Sequence, residues 1–486
     1  MNPDTHPSNR PSVQPSSVPI PSEVPVPNAP HVPDDTIAAI ATAPGEAGIS
    51  IVRISGPEAL GVADQVFICK GDKPSARSAN TFVVGHVVDG EEVIDQAILL
   101  VMRAPHSYTG EDVVELQGHG GSMCSRRILR CVLDAGARPA EPGEFTQRAF
   151  LNGRIDLVQA EAVLDLICAR SERAATAALD QLEGGLSRKF NGIYDQIMLV
   201  AGDLEATLDF PEDELPEQVL PELVRRAREA ERTLESLIAT WDEGHLLRDG
   251  ALVVIAGRPN VGKSTLLNKL LGTARAIVSP SPGTTRDTIE EEFVVNGIPL
   301  RLVDTAGLRD SECDIEREGI DRTRAHLRRA DLPIYLVSAN EPLDAADKTL
   351  ISSLPVGRSI IVINKIDLGN IHYKGVFAPH PVIEACLAGD FGVDEIRGVV
   401  GGLLSSRLDL GARPHATISE RHRRFLAGAR EDMGAACEML GAGREDMAAL
   451  ASARMRSALE QIGSVTGRVY QDDLLDHIFS RFCIGK

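Results

Sequence analysis

The residues GRPNVGKS, from Gly257 to Ser264, have the spacing G-x4-G-K-[ST], which cradles a phosphate chain. Glycines let the backbone close tightly, and successive N–H groups with the following helix N-terminus present positive potential. Asn260, Val261, Gly262, Lys263, Ser264 and Thr265 are therefore expected around the phosphates, Lys263 reaching the β- and γ-groups and Ser264 ligating Mg²⁺. About 40 residues later comes DTAG, Asp304, Thr305, Ala306 and Gly307, where an acid contacts Mg²⁺ through water and the Gly307 amide senses the γ-phosphate. Between them lies GTTRD, Gly283 to Asp287, in which Thr285 is the expected second Mg²⁺ ligand, ordered only when a γ-phosphate is present.

The base is read by NKID, in which Asn364, Lys365 and Asp367 are the expected contacts. The Asp367 carboxylate accepts from both N1–H and the exocyclic amine of guanine, a pattern that adenine lacks, and a mismatched base leaves buried groups unpaired. The Ser-Ala-Lys that usually closes a guanine site belongs after the strand at 381–383. There the chain reads Glu384, Ala385 and Cys386, so a backbone amide near Ala385 must serve. Three ordered motifs, each after an apolar run, imply GTP binding and hydrolysis rather than a chance glycine-rich turn.

Two neighbours bear on how GTP would be cleaved. Leu308 follows DTAG where Ras-like proteins place a water-orienting glutamine, and an apolar side chain orients no water. The Asn260 carboxamide, beside the phosphates, suits a monovalent cation standing where an arginine finger would put charge. Arg309 is the alternative, a finger in cis.

The elements that must position these groups follow from composition and periodicity. At 486 residues, with 43% apolar and 25% charged, the chain is globular and long enough for two to four domains. No apolar run of about 18 residues predicts a membrane span. A net charge of −20 argues against wrapping nucleic acid unaided. Eight scattered cysteines without CxxC spacing read as reduced thiols of a cytoplasmic protein. Ten of the 29 prolines fall in residues 1–34, which read as a disordered tail rather than a targeting signal. Residues 35–152 mix strands at 37–41, 50–54, 80–88 and 93–102 with helices at 57–67 and 121–135, an α+β domain. Residues 153–248 and 411–486 are helical, the latter closing on a stripe of Leu474, Leu475, Ile478, Phe479 and Phe482 capped at Asp472 or Asp473. Residues 249–410 alternate strands and helices, a doubly wound sheet inserted into one helical domain.

GRPNVGKSTLLN, GTTRD, DTAGLR, NKID and the terminal FCIGK, with DTIAAIATAPGEAGISIVRISG, SYTGEDVVELQGHGG and PGEFTQRAFLNGRIDLVQAEA upstream, together resemble the tRNA-modification GTPase family MnmE (TrmE) of the TrmE-Era-like, TRAFAC class. The resemblance spans residues 35–486 and implies a multidomain α/β protein: an N-terminal folate-binding, dimerising α+β domain, a helical domain and an inserted Ras-like G domain. It implies K⁺ as activator, held by Asn260 and by the loop Ser279, Pro280, Ser281, Pro282, Gly283 and Thr284, with Ser279, Ser281 and Thr284 as ligands. Paired G domains close across that ion, and Glu316 orients water. A methylene- or formyl-tetrahydrofolate derivative is implied at Arg53, Glu115, Arg154 and Lys486, with Cys483 a candidate nucleophile. The partners implied are a second copy and the FAD-dependent MnmG (GidA), in a heterotetramer or larger complex. That partner carries the flavin and most of the tRNA, and the pair adds a carboxymethylaminomethyl group to C5 of the wobble uridine. The rival reading is a GTPase switch in ribosome assembly, for which no RNP or GXXG signature is present. A scaffold that binds GTP without turnover is a third. Arg421-His-Arg-Arg424, the one dense basic cluster, reads either as an RNA contact or as a solvated helix face.

Overall fold

The computed structural model describes residues 34–209, 219–273, 290–304, 324–369, 373, 376–407, 418–442 and 445–486. The expected tail, the loop 279–285, Thr305 to Gly307, Leu308, Arg309 and Glu316 lie outside them.

The N-terminal unit holds β1 (Ile37–Ile40), β2 (Ile49–Ser55), β3 (Phe67–Cys69), β4 (Thr81–Asp89), β5 (Glu92–Met102), β6 (Val113–His119) and β7 (Arg138–Pro139) in one sheet of order β3-β4-β5-β6-β2-β1-β7. Strand residues alternate between faces, so Val52, Ile54, Leu99, Val101, Val114 and Leu116 point one way and are buried under the helices Ala59–Val66 and Ser122–Asp134 through Val62, Ile128 and Val132. The other face lies open. Phe82 is 70% exposed, Val84 54% and Ile98 37%, and the register sets Phe82 beside Leu100 and Val84 beside Ile98. The same row continues from Leu100 to Glu115 and Arg53, so this apolar face runs into a charged pair.

Helices before and after the nucleotide motifs share one core. Gly185–Asp209 and Val219–Ala239 contribute Phe190, Ile197 and Leu234, while Glu420–Gly441 and Glu445–Thr466 contribute Met433, Met455 and Ile462. A single helical domain interrupted by an α/β insertion is therefore what the chain builds.

The insertion contains β8 (Ala251–Gly257), β9 (Glu290–Val295), β10 (Ile298–Asp304), β11 (Leu332–Ser338), β12 (Ile360–Asn364) and β13 (Val382–Glu384), in the order β13-β12-β11-β8-β10-β9. All neighbours are parallel except the edge pair β9–β10, which turns through Asn296 and Gly297 at φ 52° and 80°, the left-handed pair of a tight hairpin. Its apolar runs are buried on both faces, Val253 and Ile255 on one side and Val254 and Ala256 on the other. This is a Ras-like doubly wound sheet.

The sheet joins the helical body through Trp241–Arg248, the helix that leads into β8. His245 bonds to Asp249 at 2.9 Å and pairs with Asp331, just before β11, at 3.4 Å; these two carboxylates raise its pKa to about 9. Trp241 stacks on the His245 ring with centroids 4.9 Å apart, and the Arg423 guanidinium lies 4.7 Å from the centroid of the Trp241 ring. Deeper, fully buried Glu161 receives Arg421 at 2.6 Å and faces His422 Nε2 at 2.8 Å. Against the desolvation that would raise it, Arg421 first and His422 beside it hold its carboxyl well below the ordinary range, while burial lowers the pKa of His422 itself. The basic cluster 421–424 is thus turned inward at Arg421 and His422.

One expectation needs correction. Helix Asp472–Phe479 starts after Gln471, without a side-chain cap from either aspartate, and ends before Phe482. The strand β6 and the helix Glu144–Leu151 were not foreseen, because Val113-Val114-Glu115-Leu116 neither alternates nor forms an apolar run and the helix has neither a polar cap nor a long period. Among the described residues no helix is long and apolar enough to cross a membrane.

Candidate functional site

The phosphate loop leaves β8 and enters the helix Lys263–Thr273. Gly257 has φ 144°, and a Cβ there would stand 2.3 Å from the Leu336 carbonyl oxygen of β11, so only glycine fits. Asn260 adopts φ 63°, a left-handed turn that asparagine tolerates, and is exposed. Buried Lys263 donates its ammonium to the carbonyls of Gly257 at 3.1 Å and Arg258 at 2.8 Å. Ser264 and Thr265 open the helix on its exposed side. Asp304 ends β10 directly beside Ile255 of β8, which brings the DTAG strand alongside the loop.

Asn364 joins the phosphate and base ends. Only 4% exposed, it donates from Nδ2 to the Val261 carbonyl at 2.7 Å and accepts from the Leu387 amide at 3.0 Å. Gly262 leaves room for it, since a Cβ there would lie 2.3 Å from that Nδ2. Lys365 has φ 62°, which swings Asp367 outward to an exposed position. The Cys386 thiol donates to Asp367 Oδ1 at 3.1 Å, and its pKa is raised by that bond and by burial.

The expected amide donor shifts. The Ala385 N–H is spent on the Ile363 carbonyl at 2.8 Å within the sheet, Glu384 is the exposed end of β13, and the Cys386 N–H goes to Phe391 O at 3.1 Å. The segment facing Asp367 therefore begins at Cys386, two residues beyond the expected start.

The second cluster assembles on the N-terminal sheet. Arg53 and Glu115 sit opposite each other on β2 and β6, bonded Nε to Oε1 at 2.9 Å, with Gln117 donating to the other oxygen at 3.4 Å. The Arg53 guanidinium also lies 5.5 Å from the Tyr108 ring and 5.7 Å from the Phe145 ring. Arg154 donates to Ser107 O at 3.1 Å, beside Tyr108. The carboxyl terminus docks here too: Ile484 pairs with Pro142, Gly143 N–H approaches Cys483 O at 3.5 Å, and a Cβ on Gly485 would sit 2.5 Å from Ile40 O. Ile40 is the partner of Val52, the neighbour of Arg53. Arg53 and Glu115 on two inner strands, Arg154 beside Tyr108, and the tail bearing Lys486 beside β1 are thus brought to one sheet from positions 39 (154 − 115) to 433 (486 − 53) residues apart in the chain. Cys483 is exposed, and its thiol adds to burial in raising the Cys168 pKa. Tyr108 and Phe145, which box Arg53, were missed because nothing local marks them.

A P-loop flanked by a parallel sheet, a buried asparagine clamp and an exposed carboxylate define a guanine-nucleotide-binding domain of the Ras-like class. The comparisons are narrower. The family model described as GTP-binding protein TrmE N-terminus matches residues 36–154, and that of the MnmE helical domain matches residues 157–483. The tRNA modification GTPase MnmE of Geobacter sulfurreducens is 43% identical over 459 residues, covering 93% of this chain and 99% of that protein. That of Symbiobacterium thermophilum is 44% identical over 460 residues, covering 93% and 100%. The chain belongs to the MnmE family of tRNA modification GTPases. Among solved structures, the FeoB G-domain from Methanococcus jannaschii aligns with 32% of the chain at 22% identity and a TM-score of 0.24, too slight a likeness to argue from.

Proposed function

We propose that this protein hydrolyses GTP and, with an FAD-dependent partner of the MnmG (GidA) kind, installs a carboxymethylaminomethyl group on C5 of the wobble uridine of certain tRNAs. The observation that carries the nucleotide half is the buried Asn364, which ties the Val261 carbonyl to the Leu387 amide with Asp367 exposed beside it. That arrangement holds the phosphate cradle and the guanine reader at a fixed separation.

In this reading Lys263 leaves the Gly257 and Arg258 carbonyls to meet the β- and γ-phosphates. Mg²⁺ is held by Ser264 and Thr285, with Asp304 behind a water. The short hydroxyl at the helix start and the abutting DTAG strand fit a hard oxygen-liganded cation. K⁺ adds positive charge against the developing negative charge of cleavage. The exposed, left-handed Asn260 suits it as a ligand, with Ser279, Ser281 and Thr284 completing the set. Glu316 orients the attacking water.

The N-terminal cluster is read as the seat of a tetrahydrofolate derivative. Glu115, about nine-tenths buried yet supplied with donors from Arg53 and Gln117, suits the N–H edge of a pterin. Arg154 and Lys486 offer charge to its carboxylates. The open apolar face across β4 and β5 supports a homodimer formed by this unit. The domain limits 35–152, 153–248, 249–410 and 411–486 are part of the same proposal.

Deleting the gene and digesting total tRNA tests the whole reading. The C5-modified wobble nucleosides should vanish and return with the wild-type gene. An unchanged nucleoside profile would defeat the assignment.

A further inference from the structure

The GTP site contains one charged side chain that its motif does not require. Arg258, the second residue of the phosphate loop, points away from the phosphates. Its Nη2 donates to Pro342 O at 2.7 Å and is paired with Asp347 Oδ2, while Nε lies 3.2 Å from Asp344 and Nη1 3.6 Å from Glu341. Asp347 is 3% exposed and sits in the first turn of the helix Ala345–Ser352, where it and Asp344 form a reciprocal capping box. Its other oxygen accepts from the Tyr335 hydroxyl at 2.8 Å, and Tyr335 is buried in β11, at the centre of the sheet. The opposite side of the same connection is held by Tyr373, whose hydroxyl donates to Ser338 O at 3.0 Å and to Glu341 O. Tyr373 follows the guanine motif by a few residues.

The main chain of Arg258 faces the other way. Its carbonyl is one of the two that receive the Lys263 ammonium. One residue therefore fixes both the peptide on which the catalytic lysine rests and the segment that braces the guanine side. We propose that Arg258 is a positioning residue of the GTP site: its guanidinium, locked onto Asp347, holds the phosphate loop in the shape from which Lys263 engages the β- and γ-phosphates. This rests on the reading of the site as a GTP site.

The chemistry of the pair decides what its loss does. Asp347 is buried, and Arg258 is the guanidinium paired with it there. Without Arg258 the segment carries Glu341, Asp344 and Asp347 uncompensated, and the loop loses its only side-chain anchor among these contacts. GTP should suffer more than GDP, because Lys263 serves the γ-phosphate as well as the β. Because the two residues act as one unit, losing either should cost what losing both costs.

The test uses the full-length chain in Mg²⁺ and K⁺, titrated with fluorescent GTP and GDP analogues, with steady-state phosphate release and thermal melting alongside. Wild type, Arg258→Met, Arg258→Lys, Asp347→Asn and the double variant Arg258→Met/Asp347→Asn are compared. Arg258→Met should weaken GTP about tenfold and GDP less, with Asp347→Asn alike and the double variant no worse than either. Arg258→Lys should recover most of the loss, since it restores charge though not the fork. Two results overturn the proposal: wild-type GTP affinity in Arg258→Met, or a double-variant loss equal to the product of the singles. A fall in melting temperature with GTP and GDP weakened equally would also refute it, marking Arg258 as merely structural. A wild-type chain that binds neither nucleotide would instead remove the GTP reading on which the proposal stands.

Discussion

Replacing Asn364 by alanine removes two hydrogen bonds at once and leaves their partners buried. Val261 is 2% exposed and Leu387 1%, so neither the Val261 carbonyl nor the Leu387 amide gains water in place of the lost amide group. An orphaned buried polar group costs about 1–3 kcal/mol, which puts the two together at about 2–6 kcal/mol. The free variant can escape that cost by letting the phosphate loop and the base loop part and hydrate. Nucleotide binding must then bring them together again, so the cost appears in affinity. At 1.4 kcal/mol per decade, GTP binding should weaken by at least about 30-fold and at most about 20,000-fold. Isothermal titration of wild type and Asn364→Ala with GTP reads this directly, with Asn364→Asp as a control that keeps the acceptor but loses the donor. Binding within about threefold of wild type, with an unchanged melting temperature, would show that the clamp is dispensable.

Two further outcomes test other parts of the molecule. GTP turnover should run at least about tenfold faster in K⁺ than in Na⁺, a difference of about 1.4 kcal/mol in the barrier, and equal rates would remove the cation site at Asn260. His245 is raised from 6.5 to about 9 by Asp249 and Asp331, so its charged form is favoured by folding. That stabilisation is complete below about pH 6.5 and is lost as pH climbs through about 9. Denaturation midpoints of wild type should fall between pH 6.5 and 9.5 while His245→Gln stays flat over the same window; parallel slopes would argue against the pair.

The nucleotide site was legible because its signals are local. A glycine-rich turn between an apolar run and a helix needs no distant information, and the inserted sheet follows from the alternation of runs around it. What escaped reading was every contact made by residues far apart. That Asn364 reaches Val261, or that Gly485 lies against Ile40, depends on the assembled fold and leaves no mark in spacing. The misplaced base loop has a simpler cause. The apolar run at 381–383 was taken as the whole strand, whereas the ladder extends to Glu384 and uses the Ala385 amide as well. Arg421 and His422 of the basic cluster turn inward for the same reason: their acid partner, Glu161, lies 260 residues before Arg421.

Trp241 is the single tryptophan of the chain, and it stands where the nucleotide domain meets the helical body. Its indole is shared between the His245 ring, whose charged form Asp249 and Asp331 favour, and a guanidinium on the body, Arg423. A protonated imidazole stacked on an indole quenches its emission. That stack lies within one helix, so a rotation of the domain against the body changes the contact between Arg423 and Trp241 and not the stack. The single tryptophan thus offers a native emission probe, without an attached dye, of the contact that Arg423 makes across the junction.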